Sequence, residues 1–313
     1  MATLVTGHAG FIGFHVCDSL IARGVRVIGI DSHNSVLYPS ELKQFNTQRL
    51  TDLGLNFAAF KFDLREITPD FLTSNDIDSV IHLAAIPGQV SSWTRLDEYV
   101  NSNVIATQKL LEAIKLSGVI NKFVHVSTSS VYGRYVDGPQ TRGYNPSSPY
   151  GITKLAAENL VKCYAEIANF DYVILRYFSV YGPGQRPDMA ISQFLSRIKS
   201  NSDILATGDG TQTRDITYVK DVAEATISAL GGRTQEKTYD ISGGTVFSIN
   251  EIISTCLRVT KSSQGIRYID RPIGDQERTL GNREFAVRDL DLRSTVSLEE
   301  GIAHQWNHMK FKG

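Results

Sequence analysis

The sequence predicts an α/β fold: a doubly wound parallel sheet followed by a smaller, mixed α/β region. Three observations carry this. Short β-branched runs alternate with longer stretches of helical periodicity through the first half of the chain. A glycine-rich turn joins the first such run to the first such stretch. Finally, 313 residues that are 42% hydrophobic and 21% charged can supply both a large core and a solvated surface.

Composition also narrows the function. Lys+Arg 32 against Asp+Glu 33 leaves a net charge of −1, so no basic excess points to nucleic acid. Cys17, Cys163 and Cys256 are far apart, with neither metal-ligand spacing nor a disulfide framework, and a reducing, cytoplasmic setting is expected. The opening apolar run Ala2, Leu4, Val5 passes straight into Thr6-Gly7 without the layout of a signal peptide. No uninterrupted apolar stretch approaches the length of a membrane span, so no membrane partner is expected.

The predicted strands are 2–5, 25–30, 57–62, 79–83, 122–127 and 172–176. Between the first two, Ile12, Val16, Leu20 and Ile21 recur at helical spacing, and Gly24 follows Arg23 where a C-terminal cap sits. Helices are expected over 103–116 and 150–168, the second opened by Ser148 as N-cap and Pro149 in the first turn. After Tyr181 the loop 182–187 marks a boundary, giving a first domain over 1–180 and a second over 181–313. Turn clusters at 207–212 and 242–245 divide the second part, with helices expected over 191–199, 221–230 and 249–260. Segments near 212–245 are candidates to return to the first domain. No internal repeat or low-complexity tract is present.

Gly7-His8-Ala9-Gly10-Phe11-Ile12-Gly13 lies between the first strand and the first helix. There Gly7 permits a tight turn, Gly10 lets backbone approach a pyrophosphate, Gly13 lets helix pack on strand, and helix N–H groups face the anion. Asp31 ends the second strand, 18 residues after Gly13, where a carboxylate can accept both ribose hydroxyls of an adenosine. It would repel a 2′-phosphate, and no Lys or Arg follows within ten residues to compensate. NAD is therefore the expected cofactor, although a strand-to-helix turn and a loop-capping Asp use the same residue types.

Tyr150 and Lys154 stand at i and i+4 on one helix face. An ammonium beside a phenol favours the phenolate, as a general base requires, although the spacing also suits a surface pair. Ser127, Thr128, Ser129 and Ser130 line up at the carboxyl end of the fifth strand, where ligands meet a doubly wound sheet. A hydroxyl there can orient a reacting oxygen toward Tyr150, while a plain strand-end turn accounts for one or two of the four.

With these residues in place, the chain resembles the extended short-chain dehydrogenases/reductases, in the nucleotide-sugar epimerase and dehydratase group. Further motifs extend the likeness over nearly the whole length. They are Asp63-Leu64-Arg65, His82-Leu83-Ala84-Ala85, Asn103, Thr128 ahead of Tyr132-Gly133, Arg176 through Pro183, Arg214 through Tyr218, Gly274-Asp275 and Ser297 through Gly301. The resemblance implies a Rossmann-type NAD domain, a smaller substrate domain, and Thr128, Tyr150 and Lys154 as catalytic groups. It further implies Asn34, Asp63, Leu64, Leu83, Ala84, Ala85, Asn103 and Phe178 around the cofactor, and Arg214 and Arg278 on the diphosphate of a UDP-sugar. It also implies a homodimer built through the helices 103–116 and 150–168.

Within the group, dehydratases typically carry Asp and Glu after the catalytic Thr, and decarboxylating members keep a Glu at the second position. Here those positions are Ser129 and Ser130. The likeness is nearest to the UDP-glucuronate 4-epimerases, on Thr128 through Gly133, on Tyr38, Pro39, Leu42, Lys43, Arg49 and Leu50, and on Gly184 through Met189. Ser179 stands where galactose 4-epimerases have Asn, and with Thr128, Ser129, Ser130 and Arg186 it could cradle a C6 carboxylate. A solvated loop charge is the other reading of Arg186. The implied reaction is C4 epimerisation through a transient 4-keto sugar, with Tyr150 as base, Thr128 orienting the oxygen and Lys154 sustaining the phenolate. The alternatives are a UDP-glucose/galactose 4-epimerase, a UDP-glucuronate decarboxylase, or a non-catalytic NAD-binding protein on the same fold. Four departures from the family pattern stand out: no Arg near Val90, His8 within the glycine-rich turn, Ala106 in place of a Gly on the helix after Asn103, and Gly281-Asn282 where Ala-Asp is usual.

Overall fold

The computed structural model describes residues 1–138, 143–231 and 234–311. Its centre is a seven-stranded, wholly parallel sheet. The strands are β1 (Ala2–Thr6), β2 (Val27–Ile30), β3 (Phe57–Phe60), β4 (Ile77–His82), β5 (Lys122–Thr128), β6 (Asp171–Tyr177) and β7 (Thr238–Ile241). Their spatial order is β7-β6-β5-β4-β1-β2-β3, so chain direction across the sheet reverses between β1 and β4 and opens a crevice at their carboxyl ends. Six of the seven lie on predicted runs. The second starts late, at Val27, because the Val25 N–H still bonds back to Leu20 O at 3.1 Å. The seventh, absent from the prediction, is a four-residue strand that pairs with β6 from far along the chain.

Helices cover both faces. On one, α1 (Phe11–Ala22) packs against α5 (Val219–Gly231), burying Val16, Leu20 and Val222 on Val5, Ile81 and Val124. On the other, α3 (Ala106–Ser117) and α4 (Pro149–Ala168) bury Leu110, Ile114 and Val161 on Leu4, Val80 and Phe123. Neighbouring residues such as Leu4 and Val5 thus feed opposite layers, as the period of a strand demands. Among the described residues, no helix is long and apolar enough to cross a membrane.

The predicted helix over 103–116 divides in two. Residues Val100–Ile105 form a π turn and α3 begins at Ala106. The helix α2 (Ser40–Thr51) was not anticipated, because only Lys43 and Leu50 of its residues are buried and no apolar stripe marks it. Beyond β6, helices Ala190–Lys199, Ile249–Thr260 and Leu298–Phe311 build a separate core around Leu195, Ile253 and Ile302. Beside it, Ser179–Tyr181, Thr213–Tyr218, Val246–Ser248, Arg278–Leu280 and Tyr135–Asp137 form a second, mixed sheet at the mouth of the crevice.

His8 has a packing explanation. Its ring turns away from the crevice, lies edge-on to Phe57 with centroids 5.5 Å apart, and places Nε2 3.1 Å from Thr47 Oγ1. The space comes from Gly29, where a Cβ would lie 2.7 Å from His8 Cγ. Gly29→Ala is therefore expected to cost about 1–3 kcal/mol, read as a lower urea midpoint. Adding His8→Ala should recover much of the loss, because the two changes share one contact.

Candidate active site

A cavity of about 940 Å³ occupies the crevice, and most of the residues singled out from the sequence line it. On the cofactor side these are Gly7, Gly10, Phe11, Ile12, Gly13, Asp31, Asn34, Asp63, Leu64, Leu83, Ala84, Ala85 and Phe178. Thr128, Ser129, Ser130, Tyr150, Lys154, Ser179, Arg186 and Met189 line the rest.

The glycine turn fits a pyrophosphate. Gly7 has φ +77°, and a Cβ on it would lie 2.9 Å from Ala84 N; a Cβ on Gly13 would overlap Gly7 O. No side chain caps the N-terminus of α1 and its first turn holds no acid, leaving the amide end of the helix to an anion. Asp31 Oδ1 accepts the His33 N–H at 2.7 Å, so the carboxylate shapes its own loop as well as facing the cavity. The structure corrects one expectation here. Lys43, 12 residues beyond Asp31 and so outside the window read in the sequence, is carried back by α2 to 3.9 Å from its Oδ1. Lys43 also donates to Asn34 Oδ1 at 3.3 Å, and burial lowers its pKa while Asp31 opposes the shift. Asp63 caps the turn after β3 and is gripped by the Arg65 guanidinium, which lowers the Asp63 pKa.

Tyr150 and Lys154 sit in the first two turns of α4, with Ser148 Oγ accepting the Gly151 N–H at 3.2 Å as N-cap. A Cβ on Gly151 would lie 2.6 Å from Ser130 O, so this residue lets the helix start press against the serine turn. Lys154 Nζ donates to Val126 O at 2.7 Å. Burial brings its ammonium down to about 8, while Glu158, one turn further along α4, pulls it back up. From the sequence, Lys154 is expected to lower the Tyr150 pKa. In the structure burial raises that pKa, and the groups opposing the rise are the Thr128 hydroxyl and the Arg186 guanidinium.

Glu158 is fully buried and takes two bonds from Arg176, at 3.0 and 2.6 Å. Arg176 Nη1 donates to Tyr132 OH at 2.8 Å, and Tyr132 OH donates to Asp240 Oδ1 at 2.8 Å.

At the far end of the cavity, Thr128 Oγ1 accepts the Ser130 N–H at 3.1 Å and lies 3.3 Å from Ser130 Oγ. Arg186 is held by Asp188 through bonds of 2.9 and 2.7 Å. Its loop is tied to α1 by a 2.8 Å contact between His15 Nε2 and Pro183 O. Val90, near which an Arg was expected, is an exposed rim residue.

Three predicted residues do not line the cavity. Asn103 is buried behind the wall, donating to Ile86 O at 3.0 Å and accepting its N–H at 2.8 Å, and so braces the segment after β4. Arg214 lies just behind Asp275, which does line the cavity, and donates to its Oδ1 at 2.6 Å. Arg278 is exposed on the second sheet and pairs with Asp137 at 3.1 Å, while Arg271 shares Asp275 with Arg214. Tyr38 and Lys43, from the motif that runs to Leu50, also line the cavity. Gln89, Asp188 and Gln276 line the cavity with no periodicity or spacing to mark them.

Glu158→Gln leaves Arg176 buried without its counter-charge and is expected to cost about 3–5 kcal/mol in urea unfolding. Because Glu158 raises the Lys154 pKa, the same change should move the alkaline limb of the rate profile to lower pH.

Known proteins match this arrangement. The NAD dependent epimerase/dehydratase family matches residues 3–242. A UDP-glucuronate 4-epimerase of Thermodesulfobacterium geofontis (strain OPF15) is 35% identical over 311 residues, covering 98% of this chain and 95% of its own. YtcB of Bacillus subtilis (strain 168), named as an uncharacterized UDP-glucose epimerase, is 34% identical over 310 residues, covering 97% and 96%. Among solved structures, the UDP-glucuronic acid 4-epimerase of Bacillus cereus in complex with UDP-glucuronic acid and NAD superposes with a TM-score of 0.93 at 37% identity, over all of both chains. With its parallel sheet, its glycine turn and its Tyr150/Lys154 helix, the chain belongs to the NAD dependent epimerase/dehydratase family.

Proposed function

We propose that this protein is an NAD-dependent UDP-glucuronate 4-epimerase that interconverts UDP-glucuronate and UDP-galacturonate. The observation that carries the reading is the composition of the cavity around Tyr150. Thr128, Ser129, Ser130 and Ser179 offer neutral hydroxyls, Arg186 offers a guanidinium, and no carboxylate stands at the two positions after Thr128. Such a set can hold a C6 carboxylate, whereas an acid there would repel it and could protonate or deprotonate the sugar.

The glycine turn, the α1 N-terminus and Asp31 would hold NAD, which would supply a reversible hydride acceptor for C4. Tyr150, as phenolate, removes the proton from the 4-hydroxyl and later gives it back. The Thr128 hydroxyl and Arg186 favour that phenolate, as their opposition to the burial-raised pKa indicates. Lys154 supplies a buried positive charge below about pH 8. The 4-keto uronate is a β-keto acid, and donors that hold its carboxylate out of the cleavage alignment slow loss of CO2. Arg214 and Arg271 both bind Asp275, which lines the cavity, and are the guanidinium groups assigned here to the diphosphate.

One observation favours a second reading, a neutral hexose as in a UDP-glucose 4-epimerase: Asp188 already neutralises Arg186. Incubation with UDP-glucuronate and, separately, UDP-glucose, with products resolved by NMR, distinguishes the two. UDP-galacturonate is the expected product, Tyr150→Phe should abolish its formation while retaining NAD, and UDP-galactose alone would promote the second reading.

A homodimer is part of the proposal. Ile105, just ahead of α3, and Leu116 near its end, with Ile152 and Ile167 on α4, are exposed large apolar side chains on two adjacent helices. Light scattering should give twice the chain mass, and Ile167→Glu should shift it toward one. The free thiols of Cys17, Cys163 and Cys256 suit the reducing cytoplasm.

A further inference from the structure

We propose that Gln89 positions the substrate and sets its specificity: its amide N–H turns the Ser130 hydroxyl into a donor toward the sugar carboxylate, while its Oε1 accepts a sugar hydroxyl. This rests on the reading of the cavity as a UDP-uronate site.

Gln89 follows Gly88, whose φ of +106° turns the chain into the cavity wall. The orientation of the Gln89 amide follows from a chain of donors. Gln276 Nε2 donates to the Gly133 carbonyl at 2.9 Å, and a carbonyl can only accept. The other end of that amide, Oε1, must therefore face Gln89, and it accepts from Gln89 Nε2 at 3.3 Å. The same Nε2 donates to Ser130 Oγ at 3.1 Å. Ser130 Oγ also lies 3.3 Å from Thr128 Oγ1, whose single proton serves the Tyr150 oxygen, so Gln89 is the donor that fixes the Ser130 hydroxyl. Its own proton is left for the cavity, which Ser130 lines. A hydroxyl fixed as donor suits a carboxylate, which only accepts.

The opposite end of the Gln89 amide is unfilled. Oε1 is buried and has no partner among the described residues, although the residue lines the cavity. A buried acceptor left without a donor is costly, and a ring hydroxyl of the substrate is the donor that binding would bring. The link also bridges two parts of the molecule, since Gln276 comes from the segment after Gly274 and Ser130 from the end of β5.

The test compares Gln89→Met, which removes both functions, with Gln89→Glu, which reverses one. A carboxylate at position 89 would draw the Ser130 proton to itself and turn a lone pair toward the substrate. Both variants should stay folded with NAD bound and keep wild-type affinity for UDP alone, which lacks the sugar. For UDP-glucuronate, KM should rise about tenfold in Gln89→Met and further in Gln89→Glu, with an increased share of UDP-pentose from lost CO2. KM within twofold of wild type in both variants would overturn the proposal. Equal loss of UDP affinity would overturn it too, by making the residue structural. If the wild type converts only UDP-glucose, the uronate reading fails and the carboxylate half of the proposal falls with it. The hydroxyl-acceptor half is then decided by the KM of Gln89→Met for UDP-glucose.

Discussion

The buried ion pair between Glu158 and Arg176 is the constraint on which the site's geometry depends. Both side chains are almost wholly removed from water, so each charge is tolerable only while the other holds its place. Glu158 lies one turn beyond Lys154 on α4, and Arg176 lies on β6. Ser127 Oγ adds a bond to the same carboxylate from β5, one residue before Thr128. Helix and sheet are thereby locked in one register at the level where Tyr150, Lys154 and Thr128 meet. On the far side, Arg176 reaches through Tyr132 to Asp240, which also accepts the Asn282 N–H at 3.1 Å. A single polar network thus runs from the catalytic helix to the segment after the second sheet, and its members specify position more than they add stability.

Burial governs the protonation of the groups around that network. His82, between Thr6 Oγ1 and Thr107 Oγ1, is pulled down to about 3, and His125 beside it is lowered as well, so both stay neutral struts beneath Lys154. The Lys154 ammonium is the cation of this layer, and it is partly desolvated. Arg186 supplies a second cation on the substrate side, where its approach to Tyr150 depends on a loop pinned to α1 through His15. Cofactor helix, substrate loop and catalytic phenol are in this way mechanically connected.

Departures from the family pattern are compensated locally. His8 occupies volume that Gly29 vacates on the next strand. Gly281 stands where a Cβ would lie 2.5 Å from Ser242 Oγ and 3.0 Å from a ring carbon of Phe178, so the absence of a side chain keeps the wall behind Phe178 intact. Asn282 serves through its backbone N–H, which any residue but proline provides.

What the sequence by itself determined was whatever depends on short-range order. The alternation of strand and helix, the glycine turn ahead of α1, Asp31 at the end of β2, the Ser148-Pro149 start of α4 and the Tyr150/Lys154 face all follow from spacings of a few residues. Family motifs added residues too far apart for spacing to relate. The tertiary structure decided the rest, because it concerns pairs that only folding brings together. Lys43 reaches Asp31 through a polar helix with no apolar stripe, β7 joins the sheet from the second half of the chain, and Asn103 braces a wall instead of facing the cavity. Arg278 turns outward to Asp137, while Gln89 and Gln276 meet across 187 residues to orient one hydroxyl. Electrostatics divided in the same way: the sequence placed an ammonium beside a phenol, but burial depth decides each pKa, and depth belongs to the packed molecule.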